Sequence, residues 1–171
     1  MRIYLAGYIN GNLIKQCAEW RIKIREHYAR KGWDIVWLDP LNGKEFAEIT
    51  EDGLKSNVPA EAIFDRDLMS VKEADLLIVN MNTFGATRPP LGTICELAWA
   101  GYLNKPIIFI SKDVNYIEHP FVKRMVSWIV PDIDTLLKEK IINYFYKGIN
   151  TAVYDYWVKH YRPKEYARER I

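Results

Sequence analysis

Two short apolar runs, Leu76-Leu77-Ile78-Val79 and Pro106-Ile107-Ile108-Phe109-Ile110, constrain this chain most. Neither alternates apolar with polar residues, so neither suits a strand with one wet face. An unbroken run of this length suits a strand covered on both faces, as in the centre of a parallel sheet. Parallel strands need crossover connections, usually helical, and helical periodicity fills the intervals here. Leu13, Cys17, Trp20, Ile24 and Tyr28 share one helical face and predict a helix over 13–30, ended by Gly32. Ile63, Phe64, Leu68 and Val71 define the inner face of a second helix over 61–73. A third helix is expected from Gly92-Thr93 onward, a short one over 121–125, and Ile133, Leu136, Leu137 and Ile141 place a closing helix after Pro131. Strands are expected at 2–7, 33–38, 76–80, 106–110 and 127–130. The alternation predicts an α/β fold: a flavodoxin-like, doubly wound, five-stranded parallel sheet with helices on both faces.

At 171 residues the chain is one domain, large enough to bury a core. The α/β unit is expected over 1–141, and an aromatic-rich helical extension of the same domain over 142–171. Tyr144, Phe145, Tyr146, Tyr154, Tyr156 and Trp157 in that extension suit helix packing or a subunit contact better than base stacking. A net charge of +2, from 24 basic and 22 acidic residues, leaves no basic stripe for a nucleic-acid polymer. Arg162, Lys164, Arg168 and Arg170 do cluster, and they read as a solvated end. Cys17 and Cys95 lie in helical segments without metal-like spacing, and His27, His119 and His160 are scattered, so neither metal nor cofactor is expected. The first apolar run is too short for a signal peptide, and no segment approaches the roughly 18–20 apolar residues of a membrane span. A reduced, cytoplasmic protein is therefore expected.

Three stretches carry candidate chemistry. Gly7-Tyr8-Ile9-Asn10-Gly11-Asn12 follows the first strand as a turn whose N–H groups can approach an anion, although it lacks the third glycine of the dinucleotide fingerprint. Asp67 lies one helical turn from Ile63 and Phe64, which turns it inward, whereas Asp65 faces solvent. A buried carboxylate is paired, protonated or catalytic, the bland possibility being a structural bond to a nearby loop. The stretch 81–105 carries the most: a loop with Arg88, Pro89 and Pro90, then a helix with Glu96 expected in its first turn. There the free N–H groups and the helix dipole favour an ionised carboxylate, and the carboxyl end of a parallel strand is where α/β ligands bind. On spacing alone, Glu96 serves a helix start equally well. The polar connection Asp39–Pro59 has no clear periodicity, which in a compact domain is often functional, and it is expected to cover the substrate.

Gly92-Thr93-Ile94-Cys95-Glu96-Leu97-Ala98-Trp99-Ala100, with Asp67-Leu68 upstream and Ile3-Tyr4-Leu5-Ala6-Gly7 at the start, resembles the nucleoside 2-deoxyribosyltransferase family. The resemblance implies cleavage of the bond between a nucleobase and C1′ of a deoxyribose. Glu96 would be the nucleophile, Asp67 would orient or protonate the base, and Tyr4 would hold the nucleophile by a hydrogen bond. The inward placement of Asp67 would raise its pKa, as suits an acid. This chemistry needs no metal or redox cofactor.

One position departs from the family pattern. Nucleoside transferases carry an Asp six residues before the catalytic Glu, where it accepts the 5′-hydroxyl; here that residue is Pro90. A related branch, the 2′-deoxynucleoside 5′-monophosphate N-hydrolases, has a neutral serine there and takes a phosphate. Loss of the anion removes a repulsion toward phosphate, and Arg88 offers a cation suited to phosphate oxygens. Tyr8-Ile9-Asn10-Gly11 resembles that branch's phosphate loop without its serine and arginine. Ser127 falls near a serine that in the branch reaches a neighbouring subunit's phosphate. With Gly7, Gly92 and Thr93 these residues form the expected substrate wall. The implied partner is a small nucleotide, or a free nucleoside in the alternative, and the implied assembly is a homodimer or higher homo-oligomer. Pro-x-Gly-Thr-x-x-Glu also resembles the phosphoribohydrolases that release cytokinin bases, but Pro90-Leu91 stands where those carry two glycines. A non-catalytic nucleotide-sensing domain on the same fold is the alternative of another class. Tyr4, Asp67 and Glu96 together argue against it.

Overall fold

The computed structural model describes residues 1–9, 14–43, 48–50, 53–55 and 58–146. In chain order the elements are β1 (Arg2–Gly7), α1 (Ile14–Ala29), β2 (Val36–Leu38), β3 (Glu48–Thr50), β4 (Gly53–Lys55), α2 (Ala60–Glu73) and β5 (Leu76–Asn80). They continue with α3 (Leu91–Tyr102), β6 (Ile107–Ile110), α4 (Val114–Ile117), α5 (Pro120–Met125), β7 (Trp128–Val130), α6 (Ile133–Lys138) and α7 (Ile141–Phe145). Five strands form one sheet in the order β2-β1-β5-β6-β7, with every pairing parallel. This is the doubly wound sheet that the apolar runs predict.

Alternate residues of each central strand feed opposite cores. Ile3, Leu5, Leu76, Ile78, Ile108 and Ile110 pack with Trp20, Ile24 and Tyr28 of α1 and with Leu136, Ile141 and Ile142. Tyr4, Ala6, Leu77, Val79, Ile107 and Phe109 pack on the other face, with Val71, Leu97, Ala100 and Val122. Both faces are dry along Leu76–Val79 and Ile107–Phe109, and polar character enters only at the carboxyl end, with Asn80. Cys17, Trp20, Ile24 and Tyr28 form the buried stripe of α1, while Leu13 lies outside the described residues. Gly32, with φ of 64°, takes the left-handed conformation that closes the turn after α1.

Several boundaries differ from expectation. The second strand is only Val36–Leu38, because Ile35 N donates back to Trp33 O and ladder contact begins where Val36 N reaches Met1 O. The 39–59 connection contains an antiparallel hairpin, β3 with β4, that no periodicity announced: three-residue strands are too short to show a period. A short helix, α4, sits inside the polar connection between β6 and α5. Phe64 is not on the inner face of α2: it is 52% exposed and meets Trp99 of α3 edge-on, with ring centroids 5.0 Å apart.

Ile141 and Ile142 are both buried in the first core. Within the expected aromatic extension, Tyr146 stacks on Trp33 at 4.1 Å, whereas Tyr154, Tyr156, Trp157 and the basic end lie outside the described residues. Among the described residues no helix is long and apolar enough to cross a membrane.

Phe109 is fully buried in β6. Phe109→Ala is therefore expected to cost about 3–5 kcal/mol through lost transfer energy and an unfilled cavity. A urea titration would show this as a lower midpoint at unchanged slope.

Candidate active site

The strand order reverses at β1, with β2 on one side and β5 on the other, and ligands of doubly wound folds bind outside the carboxyl ends at such a point. A cavity of about 440 Å³ opens there, lined by Gly7, Tyr8, Ile9, Ile63, Asp67, Arg88, Pro89, Pro90, Leu91, Gly92, Thr93 and Glu96. Its volume lies within the usual range for small-molecule sites. Of the residues singled out in the sequence, Gly7, Tyr8, Ile9, Asp67, Arg88, Pro90, Gly92, Thr93 and Glu96 thus meet around one space. Asn10 and Gly11 lie outside the described residues.

Tyr4 lies beneath the cavity. Its side chain points from β1 into the core below α3 and is fully buried, and its Oη donates to Glu96 Oε1 at 2.6 Å. Burial, then the negative charges of Glu96 and Asp67 and the hydrogen bond itself, push the Tyr4 phenol far above its ordinary value, with Arg66 opposing weakly. Tyr4 is therefore a neutral donor at any working pH. A hydrogen bond to a charged acceptor is worth about 1.5–3 kcal/mol.

Glu96 is buried but does not lie in the first turn of its helix. Helix α3 starts at Leu91 with Pro90 as N-cap, and its first turn holds no acidic residue. The dipole effect fades within the first turn, so the helix end does not account for the carboxylate's placement. Tyr4, from a strand ninety-two positions earlier, does.

Asp67 faces the cavity from α2, partly shielded rather than isolated. Arg66 donates to its Oδ1 through Nε at 3.1 Å and Nη2 at 2.8 Å. The same guanidinium reaches the carbonyls of Asn42 at 2.7 Å and Pro40 at 2.9 Å, so α2 is tied to the turn after β2. Of the possibilities the sequence leaves open for this inward carboxylate, the structure shows the paired one: Asp67 is half of an ion pair. Arg66 was missed because neighbouring residues on a helix do not face each other, and its fork comes round only by spanning to the 40–42 carbonyls.

The two glycines in the wall differ. A Cβ on Gly7 would sit 2.8 Å from Trp20 Cζ2 and 3.2 Å from Asn80 O, so close approach requires glycine. A Cβ on Gly92 would meet nothing within 4 Å, so packing does not demand glycine there. Arg88 is exposed at the rim and makes no ion pair among the described residues. Ser127 is elsewhere: it is exposed at the amino end of β7, and its Oγ accepts from Ile107 N at 3.2 Å. It belongs to the edge of the sheet opposite the cavity.

A second cavity, of about 670 Å³, lies beyond the wall formed by Arg88, Pro89 and Pro90 and is floored by Asn80, Ser111 and Asp132. Its acids have structural partners: Asp132 caps α6 through Thr135 N and pairs with Lys112 at 3.1 Å, and Asp113 caps α4. The smaller cavity brings two carboxylates, Asp67 and Glu96, to one wall-lined space. Among the described residues no cluster of His, Cys, Asp or Glu could hold a metal ion.

Comparison with known proteins places this geometry among relatives. The profile of the nucleoside 2-deoxyribosyltransferase family matches residues 3–150. No curated protein matches significantly. Among solved structures, a CMP N-glycosidase, BcmB, from Clostridium botulinum is similar at 17% identity and TM-score 0.54, covering 84% of this chain and 99% of its own. A conserved protein from Enterococcus faecalis V583 is similar at 16% identity and TM-score 0.58, covering 84% and 98%. Both likenesses are of fold.

The buried phenol also sets a pH limit. Its folded pKa exceeds the unfolded value near 10, so its contribution to stability is complete below about pH 10 and declines above it, where the unfolded chain alone releases the proton. Tyr4→Phe is expected to make the alkaline fall in stability shallower. Urea midpoints measured from pH 8 to 11 would check this, and equal slopes in both proteins would contradict it.

Proposed function

The chain belongs to the nucleoside 2-deoxyribosyltransferase family, and from that premise we propose that it cleaves the N-glycosidic bond of a (2′-deoxy)nucleoside 5′-monophosphate through a covalent glycosyl–Glu96 intermediate. The observation that carries this reading is the 2.6 Å bond from buried Tyr4 to Glu96, within a cavity that Asp67 enters from the facing helix. The Glu96 carboxylate attacks C1′, the C1′–N bond breaks, and its electrons leave with the base, which takes up a proton from water. That proton is returned when a second water loses one to the solvent in attacking C1′. Tyr4 keeps the carboxylate in line without delivering a proton to it. Asp67 has Oδ1 occupied by Arg66, which leaves Oδ2 to hold the base as it departs. Water then attacks C1′ of the glycosyl ester and frees Glu96; a second base in its place gives exchange.

Arg88 and Pro90 support a 5′-phosphate. The rim carries a cation without an ion pair among the described residues, and no acid stands at residue 90 to repel the phosphate. The CMP named for the Clostridium botulinum relative is a nucleoside monophosphate and agrees with this choice. Ser127, exposed at the far edge of the sheet, would act in a neighbouring subunit's site, so the working form would be a homodimer or higher homo-oligomer.

Base release from a panel of deoxynucleosides and their 5′-monophosphates, with and without added free base, tests the proposal. Release from monophosphates without an acceptor is expected. Exchange confined to free nucleosides would replace it with a transferase reading, and no release from any member would favour a sensor. Glu96→Ala should lower kcat by about three orders of magnitude or more at little cost in nucleotide affinity. Arg88→Ala should raise KM for a monophosphate about tenfold, the loss of one charged hydrogen bond, while leaving the free nucleoside unaffected.

A further inference from the structure

Arg21 of α1 is 1% exposed, yet its neighbours on the helix face, Cys17, Trp20 and Ile24, belong to the core. Its place follows from the short β2. That strand pairs with β1 only as far as Leu38 opposite Tyr4, so the end of β1 on that side has lost its strand partner. Buried carbonyls must find donors. Arg21 Nη2 donates to Leu5 O at 3.3 Å and Gly7 O at 3.1 Å, and its Nη1 to Cys17 O. The guanidinium thus replaces the missing strand at the point where β1 becomes the cavity wall.

The far side of the guanidinium is anchored too. Arg21 Nε lies 3.3 Å from Asp39 Oδ1, and Asp39 Oδ2 accepts from Arg25. Asp39 Oδ1 also accepts from Leu41 N at 2.9 Å, which fixes the turn whose Pro40 and Asn42 carbonyls hold Arg66. Arg66 in turn holds Asp67. One continuous path of polar contacts therefore runs from Gly7 on one wall to Asp67 on the other, through Arg21 and Asp39. The positive charge of Arg21 also interacts with the Glu96 carboxylate.

We propose that Arg21, paired with Asp39, is a positioning residue for the reaction: it sets the Gly7–Ile9 wall and, through the 39–42 turn and Arg66, the Asp67 carboxylate relative to Glu96. It acts through these groups and touches no substrate. Its catalytic consequence rests on the function proposed above; the clamp itself does not. Strength alone does not explain such a pair, since buried ion pairs are often replaceable by apolar side chains without loss of stability.

The test compares Arg21→Met, Arg21→Lys and the double variant Arg21→Met/Asp39→Asn, which removes both fully buried charges and leaves only Arg25, a third exposed, without its carboxylate. Two readouts are taken on protein shown to be folded by its melting curve: kcat and KM for base release, and hydrogen exchange at the amides of Gly7, Tyr8 and Ile9. We expect kcat to fall about 10–100-fold in Arg21→Met and in the double variant, the scale of a small misplacement of reacting groups. Arg21→Lys should recover part of the loss. The three loop amides should exchange faster while those of β5 and β6 stay as they were. A folded double variant with wild-type kcat, KM and loop exchange overturns the proposal. If the wild-type protein releases no base from any substrate, the proposed function fails, and the exchange readout decides the clamp: faster loop exchange supports it and unchanged exchange overturns it.

Discussion

Everything in this molecule follows from a sheet that must be covered twice. The backbone groups of β5 and β6, and of β1 on its β5 side, are paired along the ladders, and their side chains fill a core on each face. Helices occupy both faces, and a bound molecule is left with the carboxyl ends of the strands, where loops can part. The cavity at Glu96 lies where the connections after the neighbouring strands β1 and β5 leave toward opposite faces.

At that opening, polar groups are placed by contacts between distant elements rather than by their own. Tyr4 of β1 holds Glu96 of α3, Arg66 of α2 holds Asp67 against the turn after β2, and Arg21 of α1 holds the end of β1. The Tyr4–Glu96 and Arg21 contacts lie where water is scarce and electrostatic interactions are strong, so an unpaired member there would be costly. The arrangement pre-sets donors and acceptors before a substrate arrives, the condition under which they assist a reaction most.

Much of this was legible in the sequence, for physical reasons that also explain what was not. Unbroken apolar runs identify β5 and β6 because both faces of those strands are buried. The stripe Cys17, Trp20, Ile24 and Tyr28 identifies α1 for the same reason. The cavity residues were found through motifs, which mark Tyr4, Asp67 and Glu96 directly. Glu96 was placed too early in its helix because Gly92-Thr93 reads as a helix start, whereas Pro90, with no N–H to satisfy, serves as the cap. Phe64 was assigned to the core because periodicity cannot tell a core from a neighbouring helix's Trp99. The hairpin of β3 and β4 has too few residues to carry a pattern. Arg66 and Arg21 form their contacts across sequence distances that no local window spans. Arg21 did leave one trace, a charge set among apolar residues on an otherwise buried face.

The bond between Tyr4 and Glu96 joins residues ninety-two positions apart, and β1 pairs with β5 across a similar distance. Contacts so remote in sequence are closed late, since loop entropy must be spent before they return anything. A chain emerging from the ribosome can form α1 and the hairpin long before it can pair β1 on its inner side. The first strand, its apolar residues and its tyrosine must wait for β5 and then for α3. The cavity accordingly needs the first strand and the third helix together, and the order of synthesis keeps the two halves of its acid–phenol pair apart until more than half of the chain has been made.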